Sequence, residues 1–375
     1  MFVLAIHCLM PATGLRLYDM AVTYLQYATL IWPLLLFIKS PLAEKEKLLP
    51  VLLFWGLAFV STLVNGTDMT SLLTMAFSSL TVCLLAAHLM VLEGFQGFRK
   101  ICWLFMMLMT AEFVSGLIGG LTTIIDGNGR RVINYFLGQQ PTANRIYLTV
   151  LTLMCLLFLT GKKIDRWVSV TGILTGTLFM FQHGVSTGKL SLYIFIGVLI
   201  MAHFIRRKQM WRNVLIVLAT FALVFNLSVG AVGDFSWLFE NILNEDVTLN
   251  GRTMLWHSAI SQIRGWHWLL GNGYGHRFVF SIGDWNVSTA HSQYLNILFC
   301  YGCLGLVGYF YLLYHQLKSI WLAPTPRIKR VLLASGVAVL LIGIPTTTYQ
   351  SVYIFVLFTI LVNLDKALRK APHIS

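Results

Sequence analysis

Three short patterns follow one another between residues 250 and 305, and each holds a residue type suited to work on a charged group. The first is Asn250-Gly251-Arg252, with Trp256 four positions past the arginine. The second is Leu270-Gly271-Asn272-Gly273-Tyr274-Gly275, whose spaced glycines let a backbone pass close to a ligand or to another element. The third is Ala290-His291-Ser292-Gln293-Tyr294-Leu295, followed by Tyr301-Gly302 and Gly305. A guanidinium offers a planar fork of donors for phosphate or carboxylate oxygens. A neutral imidazole accepts a proton near pH 7. Each pattern also has a plain structural reading: a solvated loop arginine, a tight turn, a hydrogen-bonded interfacial histidine. Trp256, Trp266, Trp268 and Tyr294 likewise read either as surfaces for a sugar or as anchors at a membrane interface.

Metal and thiol chemistry find less support. His257, His267 and His276 share the same stretch, but their spacing matches no zinc signature, so neither a metal nor another cofactor is expected. Cys300 and Cys303 form a C-x-x-C inside an apolar run without a second pair. All six cysteines sit in apolar stretches, which reads as packing and gives no disulfide framework.

The elements that must position these residues are membrane helices. The chain is 57% hydrophobic and 11% charged, with mean hydropathy +0.75. A soluble domain carries roughly a quarter charged residues. Continuous apolar runs fall at about 20 to 38, 48 to 64, 70 to 92, 101 to 123, 146 to 161, 167 to 182, 190 to 205, 213 to 230, 291 to 315, 331 to 345 and 349 to 364. Crossing about 30 Å of hydrocarbon takes roughly 20 residues. The runs do not alternate as a barrel strand would. The expected fold is therefore an all-α polytopic membrane protein with 11 spans, or 12 if Met1 to Met10 is the end of a further one. That first stretch has no basic flank and no small-residue cleavage site before Pro11, so it does not read as a signal peptide. With no internal repeat, residues 1–375 are expected to form a single membrane domain.

Lys and Arg near span ends stay on the cytoplasmic side. Nineteen of the 27 basic residues fall in alternate connections, all on one side of an eleven-span chain. That side carries a net +14 and the other balances to zero, so the excess charge is a topology signal. It is poor support for nucleic acid, because the cations are split among short connections without a stripe or motif. The C-terminus is then cytoplasmic. Segments 231–290 and 124–145 become a long and a second loop on the outer side. Loops as long as the first are uncommon unless functional. Eight cations oppose the sorting rule: Arg16, Arg130, Arg131, Arg145, Lys189, Arg252, Arg264 and Arg277. An anionic group held at the outer leaflet is the obvious ligand for several of them.

In order and spacing the three patterns resemble the O-antigen polymerase and ligase superfamily: G-R with a downstream Trp, G-x-G-x-G, then A-H-[N/S]-x-Y-L leading into a helix with an early Gly. Gly138-Gln139-Gln140-Pro141-Thr142-Ala143-Asn144 is similar to that family's G to N-P-N stretch, and Ser186-Thr187-Gly188-Lys189 stands where it has Ser-Arg. The resemblance covers about residues 125 to 310. Two positions depart from it. Lys189 keeps the charge of the usual Arg but not its fork, and Ser292 stands in place of the more frequent Asn.

The resemblance implies a metal-independent membrane glycosyltransferase of GT-C-like helical fold. It would act on glycans carried by undecaprenyl pyrophosphate, in the bacterial inner membrane, with its active site facing the periplasm. On that reading Arg252 and Lys189 offset charge on the departing pyrophosphate, with Arg145, Arg130 and Arg131 behind them. His291 takes the proton of the acceptor hydroxyl, while Gly273, Gly275 and Tyr294 line the substrate. Direct displacement predicts inversion at the anomeric carbon. The leading activity is a polymerase joining lipid-linked repeat units; the alternative is a ligase moving the glycan to a lipid A core. The implied partners are the lipid-linked donor, a glycan or lipid A core acceptor, membrane lipid and a chain-length regulator. A flippase or secondary transporter is the reading from another class, with Glu112 inside a span as a path carboxylate or as a neutral helix-pairing group. That class calls for inverted repeats and paired broken helices, and the sequence displays neither.

Overall fold

Away from water a backbone must close its hydrogen bonds within its own segment, and an apolar run does so as a helix. The computed structural model describes residues 1–9, 15–29, 32, 35, 38, 42–125, 131–184, 186–205, 208–232, 252–276, 280–282, 285–287, 289–347 and 351–368. Its helices in chain order are α1 (Phe2–Cys8), α2 (Arg16–Thr29), α3 (Leu42–Asn65), α4 (Met69–Glu93), α5 (Phe95–Leu117), α6 (Gln140–Thr160) and α7 (Lys163–His183). They continue with α8 (Ser186–Phe204), α9 (Lys208–Val232), α10 (Arg252–Ser261), α11 (His267–Leu270), α12 (Gln293–Trp321), α13 (Pro326–Ile342) and α14 (Val352–Leu368). Among the described residues six helices are long and apolar enough to cross a membrane: α3, α4, α5, α8, α9 and α12. The protein is thus a helical, membrane-embedded polytopic chain.

The ends of the helices carry ordinary stop and start chemistry. Asp68 accepts from the Ser71 amide at 3.0 Å to open α4, and Thr325 with Pro326 behind it opens α13. In the centre α6, α13 and α14 are buried on nearly every face, as helices that are apolar all round should be. At the periphery α8 and α9 expose Phe204, at 76%, and Val217, at 64%. The connections that carry the basic clusters meet at one end of the bundle. There Lys47 donates to the Val362 carbonyl at 3.0 Å, Arg99 pairs with Asp165, and Arg330 lies 2.9 Å from His203.

The structure adds detail that the apolar runs alone do not carry. The chain is mostly helical, as the all-α reading expects, and short strands lie between the helices. Strands β1 (Thr122–Ile125), β2 (Arg131–Tyr135) and β3 (Gly138–Gln139) form an antiparallel sheet, and β4 (Phe280–Ile282) pairs with β5 (Trp285–Val287). The run at 101 to 123 stops being helical at Leu117, because Gly119 and Gly120 take φ of +82° and +93° and turn the chain into β1. The described part of the 231–290 segment contains α10, α11, β4 and β5.

The run at 291 to 315, expected as one span, is not one continuous helix. At Gly302, with φ +65° and ψ −166°, α12 breaks and doubles back. Gly305 then lies against Ile297, whose Cγ2 would sit 3.4 Å from a Cβ added there. An unbroken helix would separate those two positions by about 12 Å along its axis. The first limb, 293 to 301, is buried throughout; the second, 303 to 321, runs to the basic end.

Candidate functional site

A break in a buried helix frees carbonyls that must find donors. At Gly302 they belong to Phe299 and Cys300, and the glycine pattern supplies the donors. Asn272 N reaches the Phe299 oxygen at 2.9 Å with its side-chain Nδ2 at 3.1 Å, Gly273 N reaches the Cys300 oxygen at 2.9 Å, and Ser61 Oγ adds a bond of 2.8 Å. The two backbones cross so closely that a Cβ on Gly271 would strike Cys300, and one on Gly302 would strike Leu269. Gly273 and Gly275, expected to line a substrate, lie close to Thr67 and Asp68, with φ of +85° and +75°. Tyr274 between them is pushed up to about 12 by burial and stays a neutral phenol, while its amide donates to Thr62 Oγ1 at 3.0 Å. Hydrogen bonds from Ser71 hold the Asp68 carboxyl below its usual range.

The first and third patterns are also joined. Trp256 is fully buried on α10, and its Nε1 donates to the Ala290 carbonyl at 2.9 Å. Ala290 immediately precedes His291. Arg252 opens α10 one helical turn before Trp256, on the same face. Phe225 of α9 meets the Trp256 ring edge to face, and Asn226 Oδ1 accepts from Ser292 Oγ at 2.6 Å. Ser292 in turn caps α12 by accepting from the Leu295 amide at 3.4 Å. Its place in the pattern, where an amide was expected to be lost, is therefore filled by a hydroxyl that engages an amide from α9.

Between these two ties His291 is exposed and takes φ +46°, the left-handed region, which no other non-glycine among the described residues adopts. Such backbone costs about 1–3 kcal/mol and persists only where its surroundings impose it. The limb beyond is fixed by Gln293 N on the Gly343 carbonyl at 2.8 Å and by Tyr294 OH on the Leu340 carbonyl at 2.8 Å. Tyr294, expected as a substrate contact, is wholly buried and commits its hydroxyl to α13.

A second polar cluster lies under the three-stranded sheet. Glu112 is fully buried on α5, and its Oε2 accepts from the Leu137 amide at 2.6 Å. Ser115 accepts from the Phe136 amide at 3.1 Å, and Tyr135 OH lies 3.3 Å from His183 Nδ1. Glu112 thus anchors the chain just ahead of Gly138 to Asn144, a connection that sequence spacing alone does not reveal. Its other oxygen, Oε1, has no hydrogen-bond partner among the described residues.

The expected cations are spread over these parts. Lys189 is half-buried in the first turn of α8, which packs on α13, the same helix that fixes the His291 limb. Arg131 begins β2, and Arg145 lies in the second turn of α6. The side chains of Arg131, Arg145 and Arg252 lie outside the description, and Arg130 and Arg277 lie outside the described residues. Among the described side chains, α10 joins the His291 segment through Trp256, and Arg252 begins that helix. β2, which Arg131 begins, packs on α5 and on α6, the helices that carry Glu112 and Arg145. His267, one of the loop histidines, sets its Nδ1 2.9 Å from the Gly271 carbonyl at the end of α11.

No protein-family model matches this chain, and no curated protein matches it either.

Proposed function

We propose that the protein is a metal-independent membrane glycosyltransferase of GT-C-like architecture, working on the outer face of a bacterial inner membrane. It polymerises oligosaccharide repeat units carried by undecaprenyl pyrophosphate. The observation that carries this reading is His291. It is exposed, held in left-handed backbone, and fixed on one side by Trp256 through Ala290 and on the other by Ser292 through Asn226. A general base needs a rigid mount and access to its substrate, and this residue has both. One turn before Trp256, Arg252 begins α10 on the face that meets the His291 segment, where a departing pyrophosphate requires a cation. Lys189, Arg145, Arg130 and Arg131 supply further positive charge to the same outer side in the eleven-span topology. The 231–290 and 124–145 segments are then the periplasmic loops.

The reaction displaces lipid pyrophosphate from the anomeric carbon by an acceptor hydroxyl whose proton passes to His291. The test is conversion of an undecaprenyl-pyrophosphate-linked repeat unit by purified protein in detergent, with chelator present and no ion gradient. Chain growth is expected. His291→Ala should lower the rate about 10²-fold or more, and Arg252→Ala should abolish product while leaving the protein folded. Wild-type rates from Arg252→Ala, or no turnover without a gradient, would remove the proposal. Transfer to a lipid A core with no chain growth would make the enzyme a ligase.

A further inference from the structure

At the basic end of the bundle α6, α7, α8 and α13 leave a cleft of about 550 Å³ between them. Its walls are apolar, with Phe158, Ile173, Leu199 and Ile200 among them, and Phe158 and Ile200 are 43% and 56% exposed on the flank that faces hydrocarbon. Its mouth is cationic. Arg327 and Arg330 stand there with His203, no carboxylate lines the cleft, and neither arginine pairs with a carboxylate among the described residues.

The contact between Arg330 and His203 has a definite polarity. Arg330 Nη1 lies 2.9 Å from His203 Nδ1. A guanidinium only donates, so Nδ1 accepts and the imidazole proton sits on Nε2. The mouth therefore presents donors alone: two forks and one imidazole N–H. Donors gathered at the end of an apolar slot, at the depth where a bilayer places its headgroups, complement one kind of molecule in outline and in charge.

We propose that this cleft binds an anionic phospholipid of the basic-side leaflet, with its phosphate on Arg327, Arg330 and His203 Nε2 and an acyl chain against Phe158, Ile173 and Ile200. The site is separate from the proposed transfer chemistry. Arg330 and Gly343, which bonds the His291 limb, are thirteen residues apart along α13, or about 20 Å.

Native mass spectrometry of the full-length protein in mild detergent tests this, with phosphatidylglycerol or phosphatidylcholine titrated in. One phosphatidylglycerol per chain is expected, at least ten-fold tighter than phosphatidylcholine. The double variant Arg327→Ala/Arg330→Ala should lose that preference. Lys366→Ala removes a cation at the same end that does not line the cleft, and it should keep it. Ile200→Trp fills the slot with the charges intact and should weaken phosphatidylglycerol about ten-fold. Equal binding of the two lipids, an equal loss in Lys366→Ala, or unchanged retention in the double arginine variant overturns the site. Millimolar inorganic phosphate displacing the lipid while Ile200→Trp has no effect would reassign the mouth to a soluble anion and also overturn it. If the double variant does not fold, Ile200→Trp decides, and unchanged retention there refutes the proposal.

Discussion

The ring of Tyr294 stacks on that of Phe310, with centroids 5.9 Å apart and planes within 14°. Sixteen residues of continuous helix would hold their Cα atoms about 24 Å apart, beyond the reach of two aromatic side chains. The pair is possible because α12 folds back at Gly302, and the fold-back carries the His291 segment in against α9, α10 and the last turn of α13.

Gly302→Ala should therefore unfold this part of the molecule. The φ and ψ there suit glycine, and an added methyl meets the backbone of Leu269, which has no flexible end to move aside. A loss of at least ~2 kcal/mol is expected from the backbone conformation alone. Thermal melting in detergent reads it, and a variant as stable as the parent would contradict the geometry of the break.

Trp256→Phe keeps most of the ring packing against Phe225 but removes the donor to Ala290. The cost should be about 1 kcal/mol, the net worth of one hydrogen bond. If the bond steadies His291, turnover falls about five-fold as well, the factor that energy carries in a rate. Measured side by side, melting and rate should move together. An unchanged rate would leave Trp256 with a packing role only.

Glu112→Gln and Glu112→Ala should separate cleanly. The amide retains an acceptor for Leu137 N, whereas alanine leaves that buried donor empty at a cost of about 1–3 kcal/mol. Hydrogen exchange at the Leu137 amide is the direct measurement. Equal destabilisation by the two variants would show that the carboxylate matters for some reason other than this bond.

Arg99 and Asp165 should couple in a double-mutant cycle. Asp165 is buried and accepts from Arg99, from Trp103 Nε1 at 3.2 Å and from the Lys162 amide at 3.0 Å. Arg99→Ala leaves that carboxylate without its cation. The loss should be about 2 kcal/mol, below the ~3–5 of a wholly buried pair because Arg99 is 28% exposed. Asp165→Asn should recover part of it, and strict additivity would argue against the pair.

The helices were legible in the sequence because each is a local matter. Within the described residues each apolar run is helical over most of its length, since the period of burial and the lack of water act on neighbouring residues. The sheet over Glu112 and the fold-back of α12 were not legible, for they depend on partners far along the chain. Gly302 looked like a small residue in a second turn. What makes it a break is Leu269, thirty-three positions earlier, crossing too close for any side chain. The glycine pattern was correctly read as a place where backbone comes near something, and that something is α12. Arg252, Trp256 and His291 could be grouped by their order alone, but the bond from Trp256 to Ala290 that joins them could not.

The donors at the α12 break also set an order of events during synthesis. Ser61, Asn272 and Gly273 all precede Cys300, so its carbonyl finds partners already made when it leaves the ribosome. The opposite end of the same limb must wait. Gln293 and Tyr294 bond to Gly343 and Leu340, which emerge some forty to fifty residues later. A nascent chain stopped before α13 would hold its hairpin shut at the tip and open at the base, with His291 among the last residues to come to rest.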